Sequence, residues 1–148
     1  MKIIVDSGIW IALFYKQDDH RNLGILFDNW FKKQKNIQIY INDHIISEVI
    51  ARIIKKDRNR KELTKKIIKL FLNDERINVL YTSKEVFLQA LEICKKYEKL
   101  SLVDSLIMCN YYQINPNCLL SYDQGFNSDP NLIRFEDPNN LDNVKFNY

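Results

Sequence analysis

Four acidic residues stand where their type and setting could do chemistry: Asp6 in MKIIVDSGIWIAL, Glu48 in IYINDHIISEVIARI, Asp104 in LSLVDSLIMCNYY and Asp123 in CLLSYDQGF. Asp6 sits directly behind the apolar run Ile3-Ile4-Val5, where a charge that becomes buried must be paired or must hold a metal. Brought together without compensation, four carboxylates repel and raise one another's pKa. A divalent cation removes that conflict. Oxygen donors suit Mg²⁺ or Mn²⁺, which keep several waters and take only a few carboxylates. No thiol or imidazole stands at these four positions, so zinc is disfavoured. No Ser/His/Asp or Cys/His constellation competes for the chemistry, and three glycines leave no room for a Gly-rich phosphate loop.

Each acid also has a plain local role open to it. Asp6 suits a helix N-cap or a turn. Ser101 and Asp104 have the spacing of a capping box, in which the acid reaches back to the first backbone N–H. Yet Asp104 shares a helix face with Ile107, Met108 and Tyr111, at the positive end of the helix. Glu48 lies opposite the centre of an isoleucine stripe and could pair with Arg52 one turn on. Asp123-Gln-Gly is good turn chemistry.

What must position these acids is a series of alternating strands and helices. Residues 2–5 read as a short buried strand, followed by a helical turn or two in SGIWIALFY. Asp18 or Asp19 is expected to cap a helix over about 21–33, with Leu23, Leu26, Phe27, Trp30 and Phe31 on its apolar face. IQIYI is a second strand. Asn42 or Asp43 caps a helix through Lys56, striped by Ile45, Ile46, Val49, Ile50, Ile53 and Ile54, and a further helix covers about 60–72. INVLY is a third strand, after which Ser83 caps a helix from Lys84 to about Glu98 and Ser101 caps another. CLLS and LIRF complete the strands; the polar tail from Asp137 has no assigned structure. Such alternation implies βαβ units around a parallel sheet covered on both faces, and the nearly uninterrupted apolar strands agree. The expected fold is an α/β domain of three layers, α/β/α, with a central, mainly parallel sheet of about five strands. In it the strands end at one edge, where ligands bind. Asp6, Glu48, Asp104 and Asp123 all project to that edge.

At 148 residues the chain reads as one domain, 1–148. Its apolar fraction of 46% excludes a disordered chain. Asp6 interrupts the first apolar run too early for a signal peptide, and no stretch approaches the roughly 18 apolar residues of a membrane span. Cys94, Cys109 and Cys118, odd in number and set in apolar surroundings, read as buried reduced thiols, which implies a cytoplasmic setting. Net charge is +3 but uneven: residues 52–69 hold nine Lys or Arg against Asp57 and Glu62, a net +7 that leaves −4 elsewhere. That block is either a solvated helix face or a phosphate-tracking surface, with Arg52, Lys55, Lys56, Arg58 and Arg60 as RNA-binding candidates.

The four motifs, in their order and over almost the whole chain, resemble the PIN-domain ribonucleases, and within them the VapC-like toxins of type II toxin–antitoxin pairs. The resemblance implies a PIN-like fold and metal-dependent endonucleolytic hydrolysis of RNA phosphodiester bonds. The family's acidic quartet falls on Asp6, Glu48, Asp104 and Asp123. Asp6, Asp104 and Asp123 are then the ligands of one or two Mg²⁺ or Mn²⁺ ions, and Glu48 completes the shell or orients water. Ser7 and Ser121 fill places where the family has a hydroxyl residue that orients the carboxylates. Gly125 departs from the pattern, since many relatives have another polar or acidic residue there. His20 resembles a frequent helix-start residue and is read, like His44, as structural. Tyr97, Tyr111 and Tyr112 are read as core. The resemblance also implies an antitoxin partner and a homodimer, for which the apolar helices near Trp10 and Trp30 are candidate surfaces.

Three other readings remain. A PIN nuclease in RNA processing would have no antitoxin. A PIN fold that no longer cleaves would only bind RNA. A receiver-like signalling domain also gathers acids at strand ends, but it needs adjacent acids after one strand, a phosphoacceptor Asp after a central strand and a Lys after the last; here INVLYTS ends without an acid and LIRF is followed by Glu136-Asp137.

Overall fold

The computed structural model describes residues 1–56 and 60–143. Five strands alternate with helices: β1 (Lys2–Val5), α1 (Ser7–Phe14), α2 (Arg21–Lys33), β2 (Gln38–Asn42), α3 (Asp43–Lys56), α4 (Arg60–Asn73), β3 (Ile77–Leu80), α5 (Lys84–Lys96), α6 (Leu102–Ile114), β4 (Cys118–Leu120) and β5 (Arg134–Phe135). The polar tail forms a 3-10 segment, Pro138–Asn143. All pairings are parallel, in the order β3-β2-β1-β4-β5. The chain first moves outward from β1 to β3, then returns to place β4 on the other side of β1. Right-handed crossovers of these two senses put helices on both faces of the sheet. Accordingly α1 packs on α2 and α3, and α3 on α4, while α5 packs on α6. The result is the three-layer α/β/α architecture. The direction of winding reverses between β1 and β4, and such a switch point leaves a crevice beyond the strand ends.

β1 is apolar because it is the central strand: Ile3, Ile4 and Val5 are almost wholly covered. α1 is covered over most of its surface too. Trp10 meets Phe27 edge-on at 5.0 Å and Phe71 at 4.9 Å, and donates its indole N–H to the Val5 carbonyl at 3.3 Å. Trp10 and Trp30 are therefore core residues, 0% and 6% exposed, so a partner surface on these helices would be made by other side chains, such as Ile25 on α2. Long apolar side chains on these helices face the sheet because that is where apolar area leaves water.

Among the helix starts whose preceding residue is described, the capping chemistry holds with one exception. Asn42 caps α3 by accepting from the Ile45 N–H at 2.8 Å, and Ser83 caps α5. α2 begins after His20 instead of after Asp18 or Asp19; Asp18 Oδ1 accepts from the His20 N–H at 2.9 Å and shapes the bend before the helix. Of the three thiols, Cys109 and Cys118 are buried and Cys94 is only partly so. Tyr111 is buried, but Tyr112 is half exposed and donates its hydroxyl to Asp129, so it fastens the segment before β5 instead of filling the core. No helix among the described residues is long and apolar enough to cross a membrane.

Candidate active site

At the switch point lies an open cleft of about 600 Å³, whose lining includes Asp6, Glu48, Asp104, Asp123 and Arg52. Asp6 ends β1 and caps α1. Its Oδ1 accepts from the Ser7 N–H at 2.7 Å and from the Ser7 hydroxyl at 3.3 Å, and its Oδ2 accepts from the Ser121 hydroxyl at 2.7 Å. The parallel register explains that last contact: Val5 pairs with Leu120, and the next residues on the two strands are Asp6 and Ser121. Ser121 in turn accepts from the Asp123 N–H at 3.0 Å, so one hydroxyl joins two of the acids. Asp6 is only 6% exposed. Burial pushes its carboxyl up to about 6; the Ser121 and Ser7 hydrogen bonds oppose that rise, and Asp104 and Glu48 add to it.

Asp104 reaches the cleft from the first turn of α6. The capping box forms, with Ser101 N–H donating to Asp104 Oδ2 at 2.8 Å and Asp104 N–H donating to Ser101 Oγ at 3.1 Å. Burial raises the Asp104 carboxyl, hydrogen bonds from Ser101 lower it, and the charge of Asp123 raises it again. Asp123 caps the 3-10 segment Gln124–Ser128, accepting from the Gly125 N–H at 2.7 Å. A Cβ on residue 125 would stand 3.0 Å from that carboxylate oxygen and 3.0 Å from the Lys99 carbonyl, so glycine there lets the Asp123 loop fold this tightly. Glu48 enters from the second turn of α3 and is exposed. Three of the four acids thus combine a capping role with a place in the cleft. Their helix N-termini converge on it, and the dipoles there favour negative charge.

The four acids form no ion pair among the described residues, whereas Asp28, Glu62, Asp74, Glu92 and Glu136 each pair with Lys or Arg. Glu48 does not pair with Arg52. Among the described residues no three acidic, imidazole or thiol side chains stand close enough to enclose a metal by themselves. The donor set is all-oxygen, anionic and open to water, which fits an ion of the Mg²⁺ type that keeps much of its hydration.

The basic candidates divide. Arg52 lines the cleft. Lys55 and Arg60 are exposed and do not line it. The Lys56 side chain and Arg58 lie outside the described residues. Sequence reasoning missed Tyr122, Gly8 and Asp18, all of which line the cleft. The signal was available for Tyr122, which lies between Ser121 and Asp123. Burial, then the charges of Asp18 and Asp6, push its phenol up to about 12, so it is a neutral O–H donor. His20 stacks on Tyr122, with centroids 4.0 Å apart and planes 11° apart; its side chain makes no cap hydrogen bond.

Ser121→Ala leaves Asp6 Oδ2 and the Asp123 N–H without their partner at a fully buried position. It is expected to cost about 1–3 kcal/mol in urea unfolding and to move the Asp6 titration midpoint above its wild-type value by carboxyl-carbon NMR. A midpoint that stayed or fell would contradict this role of Ser121.

Fold and cleft together define an α/β/α domain with an acid-lined site at its topological switch point. The chain belongs to the PIN domain family, whose model matches residues 3–128. Among solved structures it is similar to Mycobacterium tuberculosis VapC20, a sarcin-ricin loop cleaving toxin, with 14% identity, a TM-score of 0.72 and coverage of 88% of this chain and 96% of that one. It is also similar to VapBC2 from Rickettsia felis, bound in that crystal to a promoter DNA fragment, with 20% identity, a TM-score of 0.61 and coverage of 91% and 98%. No curated protein matches the chain by sequence.

Proposed function

We propose that the chain is a metal-dependent endoribonuclease that hydrolyses RNA phosphodiester bonds, acting as the cytoplasmic toxin of a toxin–antitoxin pair. The observation that carries this reading is the cleft itself: four carboxylates of a PIN domain, one of them buried, with no cationic side chain paired to any of them among the described residues. Asp6, Asp104 and Asp123 would hold one or two Mg²⁺ or Mn²⁺ ions, with Glu48 beside them. A divalent cation there polarises the phosphate and offsets charge in the transition state.

The chain's own residues supply the rest. Ser121 and Ser7 fix both oxygens of Asp6, so that side chain is pre-oriented before substrate arrives. The capping box holds Asp104 through one oxygen, and the Gly125 N–H does the same for Asp123. Glu48 is exposed in the cleft and orients water for attack on phosphorus. Arg52 brings positive charge to an acidic cleft that must accept an anionic strand.

The toxin reading draws on the two structural neighbours, VapC20, a sarcin-ricin loop cleaving toxin, and VapBC2, which is bound to a fragment of its promoter DNA. Both tryptophans are buried, but apolar side chains remain exposed on the helices around them: Ile25 on α2, Ile54 on α3, and Ile68 and Leu72 on α4, 43%, 41%, 41% and 60% open, are the candidates for an antitoxin or a second copy.

The deciding experiment is cleavage of a structured RNA by wild type with Mg²⁺, with Mn²⁺ and with EDTA. Cutting is expected with either metal and none with EDTA. Cutting that persists in EDTA would end the metal-dependent reading, and failure to cut any RNA in the presence of the metals would leave the cleft without the proposed activity.

A further inference from the structure

The nuclease reading leaves one side chain of the cleft without a task. Tyr122 sits between Ser121, which holds Asp6, and Asp123. Its hydroxyl has no hydrogen-bond partner among the described residues, yet its ring is tightly placed. One constraint is the near-parallel stack on His20. The other is Gly8, in the first turn of α1: a Cβ on residue 8 would stand 2.7 Å from both Cζ and Oη of Tyr122. Glycine at this position therefore lets the phenol end of the ring rest against the helix start, two residues from Asp6. A ring held from two elements, with a free O–H beside a metal-type acidic site, is organised to present that O–H.

An anionic strand entering this cleft meets mostly carboxylates. Besides the Ser101 hydroxyl, which already accepts from the Asp104 N–H, the lining side chains Arg52 and Tyr122 carry donors for which no acceptor stands among the described residues. Arg52 brings charge from α3 on a long flexible stem. Tyr122 brings a neutral donor that adds no cation to compete with a metal, from a ring that cannot move far. Phosphate oxygens accept from Tyr hydroxyls without reading sequence.

We infer that Tyr122 is a substrate-binding residue that donates its hydroxyl hydrogen bond to a phosphate oxygen of the nucleic-acid strand, and that His20 is the positioning residue that holds it through the ring stack. This rests on the nuclease reading above. It also gives His20 a task other than capping, at a side chain that is half exposed.

The test uses Tyr122→Phe, which keeps the ring and its stack. Binding of a fluorescein-labelled single-stranded RNA of mixed sequence is followed by anisotropy with Ca²⁺ in place of Mg²⁺, alongside cleavage with Mg²⁺ and thermal melting. Tyr122→Phe is expected to weaken RNA binding about tenfold or more, as for a hydrogen bond to a charged group, with the melting temperature unchanged. His20→Ala should weaken binding in the same direction, add nothing on the Tyr122→Phe background, and be largely restored by His20→Phe; non-additivity is the mark of residues acting as a unit. Wild-type affinity and cleavage in Tyr122→Phe would overturn the inference while leaving the nuclease reading intact. So would a loss of affinity that tracks a loss of melting temperature. A wild-type protein that neither binds nor cuts RNA would overturn the nuclease reading, and the inference with it.

Discussion

Asp6→Asn is expected to lower RNA cleavage by a factor of about a hundred or more and yet to stabilise the metal-free protein. The loss of activity follows from position. Removing a partner one step away from a metal commonly costs about 10–100-fold, and Asp6 is the innermost acid of the cleft. The gain in stability follows from burial. The Asp6 carboxyl stands at about 6 in the folded chain against an ordinary 3.8. A raised acid pKa means that the unfolded chain gives up this proton more readily than the folded one. Below about pH 4 both states are protonated and the site costs nothing. Between about pH 4 and 6 the folded state falls behind, and above pH 6 it has lost about 3 kcal/mol. Asn carries no charge and escapes that window. Its amide would donate to Ser121 Oγ and leave the Ser121 proton without its acceptor, which offsets about 1 kcal/mol of the gain.

Urea unfolding in EDTA at neutral pH should therefore show Asp6→Asn more stable by about 1–2 kcal/mol, with the two proteins converging as pH falls toward 4. Adding Mg²⁺ should stabilise wild type and leave the variant unchanged, because a ligand stabilises only the state that binds it. A variant that is less stable than wild type in EDTA would show that Asp6 is held by favourable contacts alone. Full activity in the variant would remove it from the chemistry.

Gly24→Ala is expected to be the most damaging small change in the fold, costing about 3 kcal/mol. A Cβ on residue 24 would lie 2.3 Å from the Ala12 carbonyl carbon and 2.4 Å from both the Ala12 oxygen and the Leu13 nitrogen. Every one of these is backbone, so no rotamer change relieves the clash and α2 must move away from α1. The same junction is tied by Arg21, whose guanidinium donates to the Ala12 carbonyl at 2.9 Å and also to that of Leu13. Ordinarily Gly→Ala inside a helix stabilises by up to about 1 kcal/mol, so the sign of the change is diagnostic. The displacement should also reach the cleft, since His20, which stacks on Tyr122, immediately precedes α2. Thermal melting combined with RNA affinity tests both parts. A melting temperature at or above wild type would mean that α1 and α2 are not packed this closely.

The sequence by itself determined the fold and the cluster of acids. Strand-sized apolar runs alternating with helix-period stripes leave a parallel sheet as the main solution, and a parallel sheet puts every strand end on one edge. That is why Asp6, Glu48, Asp104 and Asp123, far apart along the chain, line one cleft. Caps carried much of the same information, because Asn42, Ser83 and Ser101 mark helix starts through bonds to the next few residues only. What depended on contacts between distant segments was not legible. Core and partner surface could not be separated on the apolar helices near Trp10 and Trp30, because an apolar helix reads alike whether a sheet or a second protein covers it; in the fold both tryptophans are buried, Trp10 against Phe27 and Phe71. Glu48 and Arg52 have the spacing of an ion pair, yet both line the cleft and no ion pair forms between them. His20 read as structural because it resembles a frequent helix-start residue, whereas its ring contact, Tyr122, is about a hundred residues away in sequence. The link between Ser121 and Asp6 was implied by family likeness, and the strand register gives its cause: β1 and β4 lie side by side, so the residue after each strand meets the other. Period and capping are local and survive in one dimension. Register, helix spacing and ring stacks are set by which surfaces meet, and the sequence alone does not state which ones do.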